Sequence, residues 1–446
     1  NEIALKNLLR KSGIHAEEVK GISFSGQMHG LVLLDEIGTP LRRAILWNDT
    51  RTSAECREIE ATVGLETLLK NVKNRAFEGF TLPKILWVKR HEPDIFRRAV
   101  CFLLPKDYVR FRLTGKMAID FSDAAGTLLL DIEKKEWSRL MCDYLGIAPD
   151  LCPPLVDSTA CVGHLLSSVA EEVGLSENTK VFAGGADNAC GALGAGILSE
   201  GNTLCSIGTS GVVLSYESRG DHIFDGSVHY FNHVEDKAYY IMGVTLAAGY
   251  SLDWFKRNFI PDEGFEKVIH QAFQVDLGAG GLLFTPYIVG ERTPYADSDV
   301  RGSFIGVDVS HTTAHFARAV IEGITFSLNE SIEILRNNGK KISSIVSIGG
   351  GAKSDEWLQL QADIFNAPVL KLESEQGPAM GAAMIAAYGC GWFNSLKECA
   401  DAFIRVKTIV EPRNATAERY AELFKIYKDI YRNTQPLTSR LKNFRK

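Results

Sequence analysis

The chain has 446 residues, 45% hydrophobic and 23% charged, with a formal net charge of −6. This is the balance of a soluble globular protein of two or three domains, large enough to hold its core without disulfides or a structural metal. The negative balance argues against a broad nucleic-acid or anionic-membrane surface, and no apolar run reaches the ~18 residues that a membrane helix needs. The nine cysteines form no C-x-x-C pair. They read as thiols of a reducing compartment, so a cytoplasmic location is expected.

Strand and helix patterns alternate along the chain, the mark of an α/β protein. Residues 19–24 and 31–35 read as strands paired around the segment SGQMHG (25–30). Gln27, Met28 and His29 there suit either a surface loop or a pocket in which amide and imidazole meet hydroxyl groups. ILWNDTRT (45–52) is dense in polar anchors, and Trp47 could stack on a sugar face. A solvated turn is the other reading of that stretch. A helix is expected near 51–63, and TLPKILWVKRHEPDIF carries helical spacing that breaks at Pro93. VCFLLP (100–105) has the composition of a buried strand. Lys106 and Asp107 open what reads as an ordinary capped helix ending at Gly115.

KVFAGGADNACGALGAGI (180–197) predicts a strand, a glycine turn and a small-sided helix with close neighbours along its length. Asp187 stands where the helix begins. It either caps the helix or, at the bottom of a cleft beside Asn188, accepts a proton from a substrate hydroxyl. Residues 201–216 read as two strands joined at Gly208-Thr209-Ser210-Gly211. GERTPY (290–295) reads as a loop with a surface ion pair between Glu291 and Arg292. A helix is expected over 312–335, then a strand, the turn Gly349-Gly350-Gly351 and a second helix. A last long helix is expected over 415–432. Three strand-to-glycine turns suit two lobes facing one phosphate-bearing ligand, because backbone amides and helix N-termini favour phosphate. No Walker motif, strand-linked GxGxxG, GxSxG or HExxH occurs, and the histidines form no ligand set, so no transition-metal site is expected.

Taken in order, SGQMHG, ILWNDTR, LLPKDYVRFRLTG, SDAAGT (122–127), GGADNACGALGAG, SIGTSG, GERTP and GGGAKSDEW resemble the FGGY carbohydrate kinases over nearly the whole chain, most closely the branch that phosphorylates xylulose. The resemblance implies a two-lobed actin-like ATPase (ribonuclease H-like) fold, each lobe a mixed sheet flanked by helices. It places the sugar and the catalytic base in residues 1–198 and ATP in 199–446. Asp187 is then the base. Gln27, Met28, His29, Trp47, Asp187 and Asn188 meet the sugar. Gly208, Thr209, Ser210 and Gly211 hold the ATP phosphates, and Gly350, Gly351, Ala352, Ser354 and Asp355 form the adenosine side. GPAMGAA (377–383) matches the helix linking the lobes.

The expected reaction is ATP-dependent phosphorylation of D-xylulose with Mg²⁺. Another pentulose, a deoxy-ketose or a polyol is an alternative substrate, and a sugar-binding protein without turnover is an alternative of another class. The partners are a small-molecule sugar and ATP, with no nucleic acid or membrane and with a homodimer possible. The family opens with a D-x-G-T strand turn, and nothing of that type precedes residue 19. A segment on the order of 40–60 residues is therefore expected to be missing, and the chain as it stands is expected not to turn over ATP.

Overall fold

The computed structural model describes residues 2–445. The first lobe contains β1 (Gly21–Ile22), β2 (Ser25–Gly26), β3 (Val32–Leu34), β4 (Cys101–Leu103), β5 (Cys161–His164), β6 (Lys180–Phe182) and β7 (Gly185–Ala186). Helices α1 (Thr81–His91) and α2 (Pro105–Thr114) belong to it, and α3 (Asp187–Gly194) closes it. Strand β1 pairs in parallel with β6, which pairs antiparallel with β5. One step further along, β2 pairs in parallel with β7, Gly26 opposite Ala186. SGQMHG and GGADN, about 160 residues apart in sequence, therefore leave neighbouring parallel strands at the same end. Ligands of α/β sheets collect at that end.

The expected pairing of 19–24 with 31–35 does not form. Strand β3 pairs antiparallel with β4 instead, and both are buried along their length. The chain leaves β2 through His29, which has a left-handed φ of 70°, so it turns away rather than folding back on itself. Gly184 also has a left-handed φ, 74°, and a Cβ there would stand 2.4 Å from the carbonyl oxygen of Phe24. Only glycine lets the two strands approach so closely.

The second lobe is built on β8 (Asn202–Ile207), β9 (Gly211–Glu217), β10 (His229–Asn232), β11 (Tyr239–Thr245), β12 (Ser344–Gly349), β13 (Val369–Leu372) and β14 (Val406–Val410). They form one mixed sheet in the order β10-β11-β9-β8-β12-β13-β14. Parallel pairing of β8 and β12 sets Ile207 opposite Gly349. The Gly208–Gly211 and Gly349–Gly351 turns are thus adjacent at one sheet end, repeating the arrangement of the first lobe. Around the sheet lie α4 (Thr313–Asn337), α5 (Asp355–Phe365), α6 (Gly377–Gly389) and α7 (Asn414–Leu441). Helix α7 runs nine residues beyond the expected 432. Its Phe424 and Tyr427 pack on Phe326 of α4, with ring centroids 5.7 and 5.2 Å apart.

Two of the contacts that join the lobes involve main chain. Helices α3 and α6 meet backbone to backbone: a Cβ on Gly381 would stand 1.9 Å from the carbonyl oxygen of Cys190, and one on Gly194 would stand 2.3 Å from that of Gly377. Asn74 reaches across as well. Its amide donates to the carbonyl of Tyr230 at 2.7 Å and accepts from the Tyr230 N–H at 3.1 Å.

Lys106 does not sit at an ordinary helix start. Its ammonium is fully buried, 2.6 Å from Asp107, 2.9 Å from Asp120 and 3.3 Å from Asp123. It also donates to the carbonyl of Ala183, as Arg110 does. The pair expected at 291–292 is likewise not a surface ion pair. Glu291 is buried and accepts from the backbone N–H groups of Arg292 and Leu246 at 2.8 and 3.0 Å. The Arg292 guanidinium instead lies over the Phe77 ring, 5.6 Å from its centroid.

Candidate active site

Asp187 is the first residue of α3, one step past the paired end of β7. It does not cap the helix from the preceding position, and Ala186 occupies the N-cap. Its Oδ1 accepts from the backbone N–H of Asn188 at 2.7 Å and from the Asn188 side-chain amide at 3.1 Å. Burial raises its pKa above the usual carboxylate value. It is therefore a stronger base than a solvated aspartate. The turn before it is held firmly. The N–H of Ala186 donates to Ser122 Oγ at 2.9 Å, and Ser158 Oγ and Lys106 bind the buried Asp120 at 2.8 and 2.9 Å.

Met28 is buried beside this group. Its sulfur lies 3.7 Å from the Asn188 side-chain amide and 3.8 Å from the hydroxyl of Tyr240 on β11. Met28 and Asn188 come from the first lobe and Tyr240 from the second, so this point lies at the lobe junction. His29 follows. Its Nδ1 is 2.6 Å from the carbonyl oxygen of Gly126. A carbonyl only accepts, so Nδ1 carries the hydrogen. Burial lowers the imidazole pKa to about 3. The ring is neutral, and Nε2 is left as an acceptor for a hydroxyl. The ring packs on Phe80, centroids 4.8 Å apart, and faces Phe231 of the second lobe at 6.1 Å. Apolar rings beside a few aimed polar atoms make the kind of surface that binds a small polyol.

Gln27 is exposed, and Trp47 is 53% exposed. Among the described residues, no hydrogen bond or ring contact joins either to Met28, His29, Asp187 or Asn188. Lys84, Phe80, Gly126 and Tyr240 escape the sequence reading. For Lys84 a signal existed: it interrupts the run Leu82-Pro83-Lys84-Ile85-Leu86, all of it buried.

The second lobe opens a cavity of ≈ 850 Å³ at the β8 and β12 turns. Gly208, Thr209, Gly350, Gly351, Ser354 and Asp355 all line it. Ser210, Gly211 and Ala352 are not on its wall; Ala352 is buried beneath it. Ser354 is also the N-cap of α5, accepting from the Trp357 N–H at 3.2 Å, and Asp355 pairs with Lys371 at 3.0 Å. Neither Gly350 nor Gly351 has a positive φ. Gly349 does, at 83°, and its N–H donates to Glu375 at 2.9 Å. A Cβ on Gly351 would strike the Ile207 side chain at 2.6 Å, whereas one on Gly350 would meet only the Ile207 carbonyl oxygen, at 3.4 Å. Gly351 is thus small for the sheet, and Gly350 leaves its face open to the cavity.

Two α/β lobes with matched glycine turns and a buried carboxylate at their junction are what a sugar kinase of the actin-like ATPase fold requires, and the chain belongs to the FGGY family of carbohydrate kinases. Residues 2–194 match the N-terminal domain of that family and 203–390 the C-terminal domain. The xylulose kinase of Bacillus subtilis (strain 168) is 60% identical over 99% of this chain and 89% of its own length. Among solved structures, the ligand-bound xylulose kinase from Lactobacillus acidophilus superposes with a TM-score of 0.94 at 26% identity, over 99% of this chain and 89% of that one. The gluconate kinase from the same organism gives 0.92 at 27% identity, over 99% and 88%.

Proposed function

We propose that the protein transfers the γ-phosphoryl group of ATP to the terminal hydroxyl of D-xylulose, giving D-xylulose 5-phosphate and ADP. The observation that carries this reading is the register of β2 against β7, which brings His29 and Met28 beside Asp187 and Asn188 at the lobe junction. The choice of sugar rests on the 60% identity to a xylulose kinase. The near-equal fit to a gluconate kinase makes the fold silent on substrate.

In this reading the Asn188 side-chain carbonyl oxygen and His29 Nε2 accept from sugar hydroxyls, and Met28 fills the apolar wall. Both Asn188 donors go to Asp187 Oδ1, which leaves Oδ2 to take the hydroxyl proton. The freed oxygen attacks the γ-phosphorus, the bond to the β–γ bridging oxygen breaks, and ADP leaves. Such a transfer needs chiefly positioning and charge stabilisation. The amides of the Gly208–Gly211 turn serve the phosphates, and the cavity beside Gly350 takes the adenosine. The matched stretches 2–194 and 203–390 support a division of labour at residues 198/199.

Magnesium binds mostly through water and phosphate oxygens, with one or two carboxylates. The carboxylates of Asp107, Asp120 and Asp123 converge within 4.8 Å, but the Lys106 ammonium fills their centre, so that cluster does not fit the ion. Asp187 is the carboxylate left at the lobe junction and serves there as the base, so the ion would be held chiefly by ATP phosphate oxygens and water, where it would offset charge on the transferring group.

Asp187→Asn tests the assignment. Turnover of the full-length protein in a coupled ADP assay should fall about 10²–10⁴-fold, with calorimetric binding of D-xylulose retained. Near wild-type turnover would remove Asp187 from the chemistry. A kcat/KM for gluconate above that for D-xylulose would overturn the substrate.

A further inference from the structure

We infer that Lys84 is a positioning residue for the sugar: its ammonium clamps the main-chain carbonyl of His29 and thereby sets where the imidazole stands. This rests on the reading of His29 as a sugar ligand and adds a residue to that site.

Lys84 lies on α1 with no exposed surface. Its Nζ donates to the carbonyl oxygens of His29 at 3.0 Å and Phe80 at 3.2 Å, and to that of Gly79. Among the described residues no ion pair involves it, unlike Lys106, which has three carboxylates around it. With no carboxylate in contact, desolvation of its charge dominates, and the more distant Asp49 offsets it only in part. Burial lowers its pKa to about 7. For packing alone, a methionine would fill the same space without that penalty, so the ammonium has a task that its acceptors identify.

His29 is the acceptor that stands out. It has a left-handed φ of 70°, a conformation disfavoured by side chains and kept only where the surroundings enforce it. Its carbonyl takes a second donor, Thr81 Oγ1, at 3.1 Å. Both donors come from the first turn of α1, and the residue just before that helix, Phe80, supplies the ring against which the imidazole packs. One short segment therefore fixes the backbone of His29 on one side and its ring on another, while Gly126 fixes Nδ1. Among the described residues nothing bonds to Nε2, the atom offered to the sugar.

Four variants test this: Lys84→Met, Thr81→Val, His29→Ala and the double variant Lys84→Met/His29→Ala. D-xylulose and ATP dissociation constants are measured by calorimetry, and KM and kcat by the coupled assay. Lys84→Met should raise the sugar Kd and KM about ten- to a hundredfold, with a smaller change in kcat and an unchanged ATP Kd. Thr81→Val should act in the same direction more weakly. In the His29→Ala background, Lys84→Met should add less than about twofold, because its effect passes through His29. Wild-type sugar affinity in Lys84→Met, an equal loss in both backgrounds, or a joint loss of sugar and ATP binding would each overturn the inference. If Lys84→Met fails to fold, Thr81→Val decides alone: unchanged sugar affinity there refutes the clamp. Should His29→Ala bind sugar normally, the reading of His29 itself falls, and the clamp with it.

Discussion

Gly381 offers the sharpest test of how the lobes are joined. An alanine Cβ there would lie 1.9 Å from the carbonyl oxygen of Cys190, 2.7 Å from its carbon and 2.9 Å from its Cα. The obstruction is main chain, so no rotamer change relieves it. Restoring an ordinary contact of about 3.4 Å requires α3 and α6 to part by roughly 1.5 Å. Overpacking of this kind costs about 1–3 kcal/mol, and the rigid obstruction places Gly381→Ala at the upper end. Asp187 begins α3, so the same shift moves the proposed base. A misplacement of about 1 Å is worth about 10²-fold in rate. Gly191→Ala is the control in the same seam. Its Cβ would meet Pro378 Cγ at 3.6 Å, an ordinary contact, and alanine in a helix is favoured over glycine by about 0.5–1 kcal/mol. Thermal melts and steady-state turnover of both variants give the answer. Gly381→Ala should melt several degrees lower and lose most turnover, and Gly191→Ala should melt at or above wild type with full activity. Equal behaviour of the two variants, in either direction, would refute the reasoning.

Gly350→Val should fold normally, because its Cβ points to open space apart from one 3.4 Å contact. It should lose ATP affinity at least tenfold in calorimetry, and unchanged affinity would move the nucleotide elsewhere. Buried Glu330 has its pKa raised to about 8 by burial, as has Glu291. Between about 4.5 and 8 the folded chain holds these protons while the unfolded chain releases them, so stability should fall as pH rises through that window. In melts from pH 5 to 9, Glu330→Gln should flatten the slope, and an unchanged slope would take Glu330 out of the account.

What the sequence shows plainly is local. The glycine turns after β6, β8 and β12, the small-sided α3 and the apolar face of α4 are legible because each depends on residues within one turn or one strand of one another. The pairing of β2 with β7 is not, because it joins segments about 160 residues apart, and closeness along the chain made β3 look like the partner of β1. Side-chain environment is the other blind spot. Glu291 and Arg292 read as a surface pair because charged residues are usually solvated, and Lys106 read as part of an ordinary helix start because Asp120, Asp123 and the Ala183 carbonyl that surround it lie outside its own helix. Trp47 misleads in the opposite sense: an aromatic among polar anchors suggests a sugar platform, yet the residue is more than half exposed.

The reach of Asn74 across the junction has a consequence for solubility. Strand β10 is the outermost strand of the seven-stranded sheet, and such a strand can template pairing with another chain. Asn74 occupies both main-chain hydrogen-bonding positions of Tyr230 on that strand, as a neighbouring strand residue would. The first lobe thus serves as the edge guard of the second. Any motion or substitution that withdraws Asn74 frees both main-chain positions of Tyr230 as well as loosening the junction, so lobe opening and self-association are coupled at this edge.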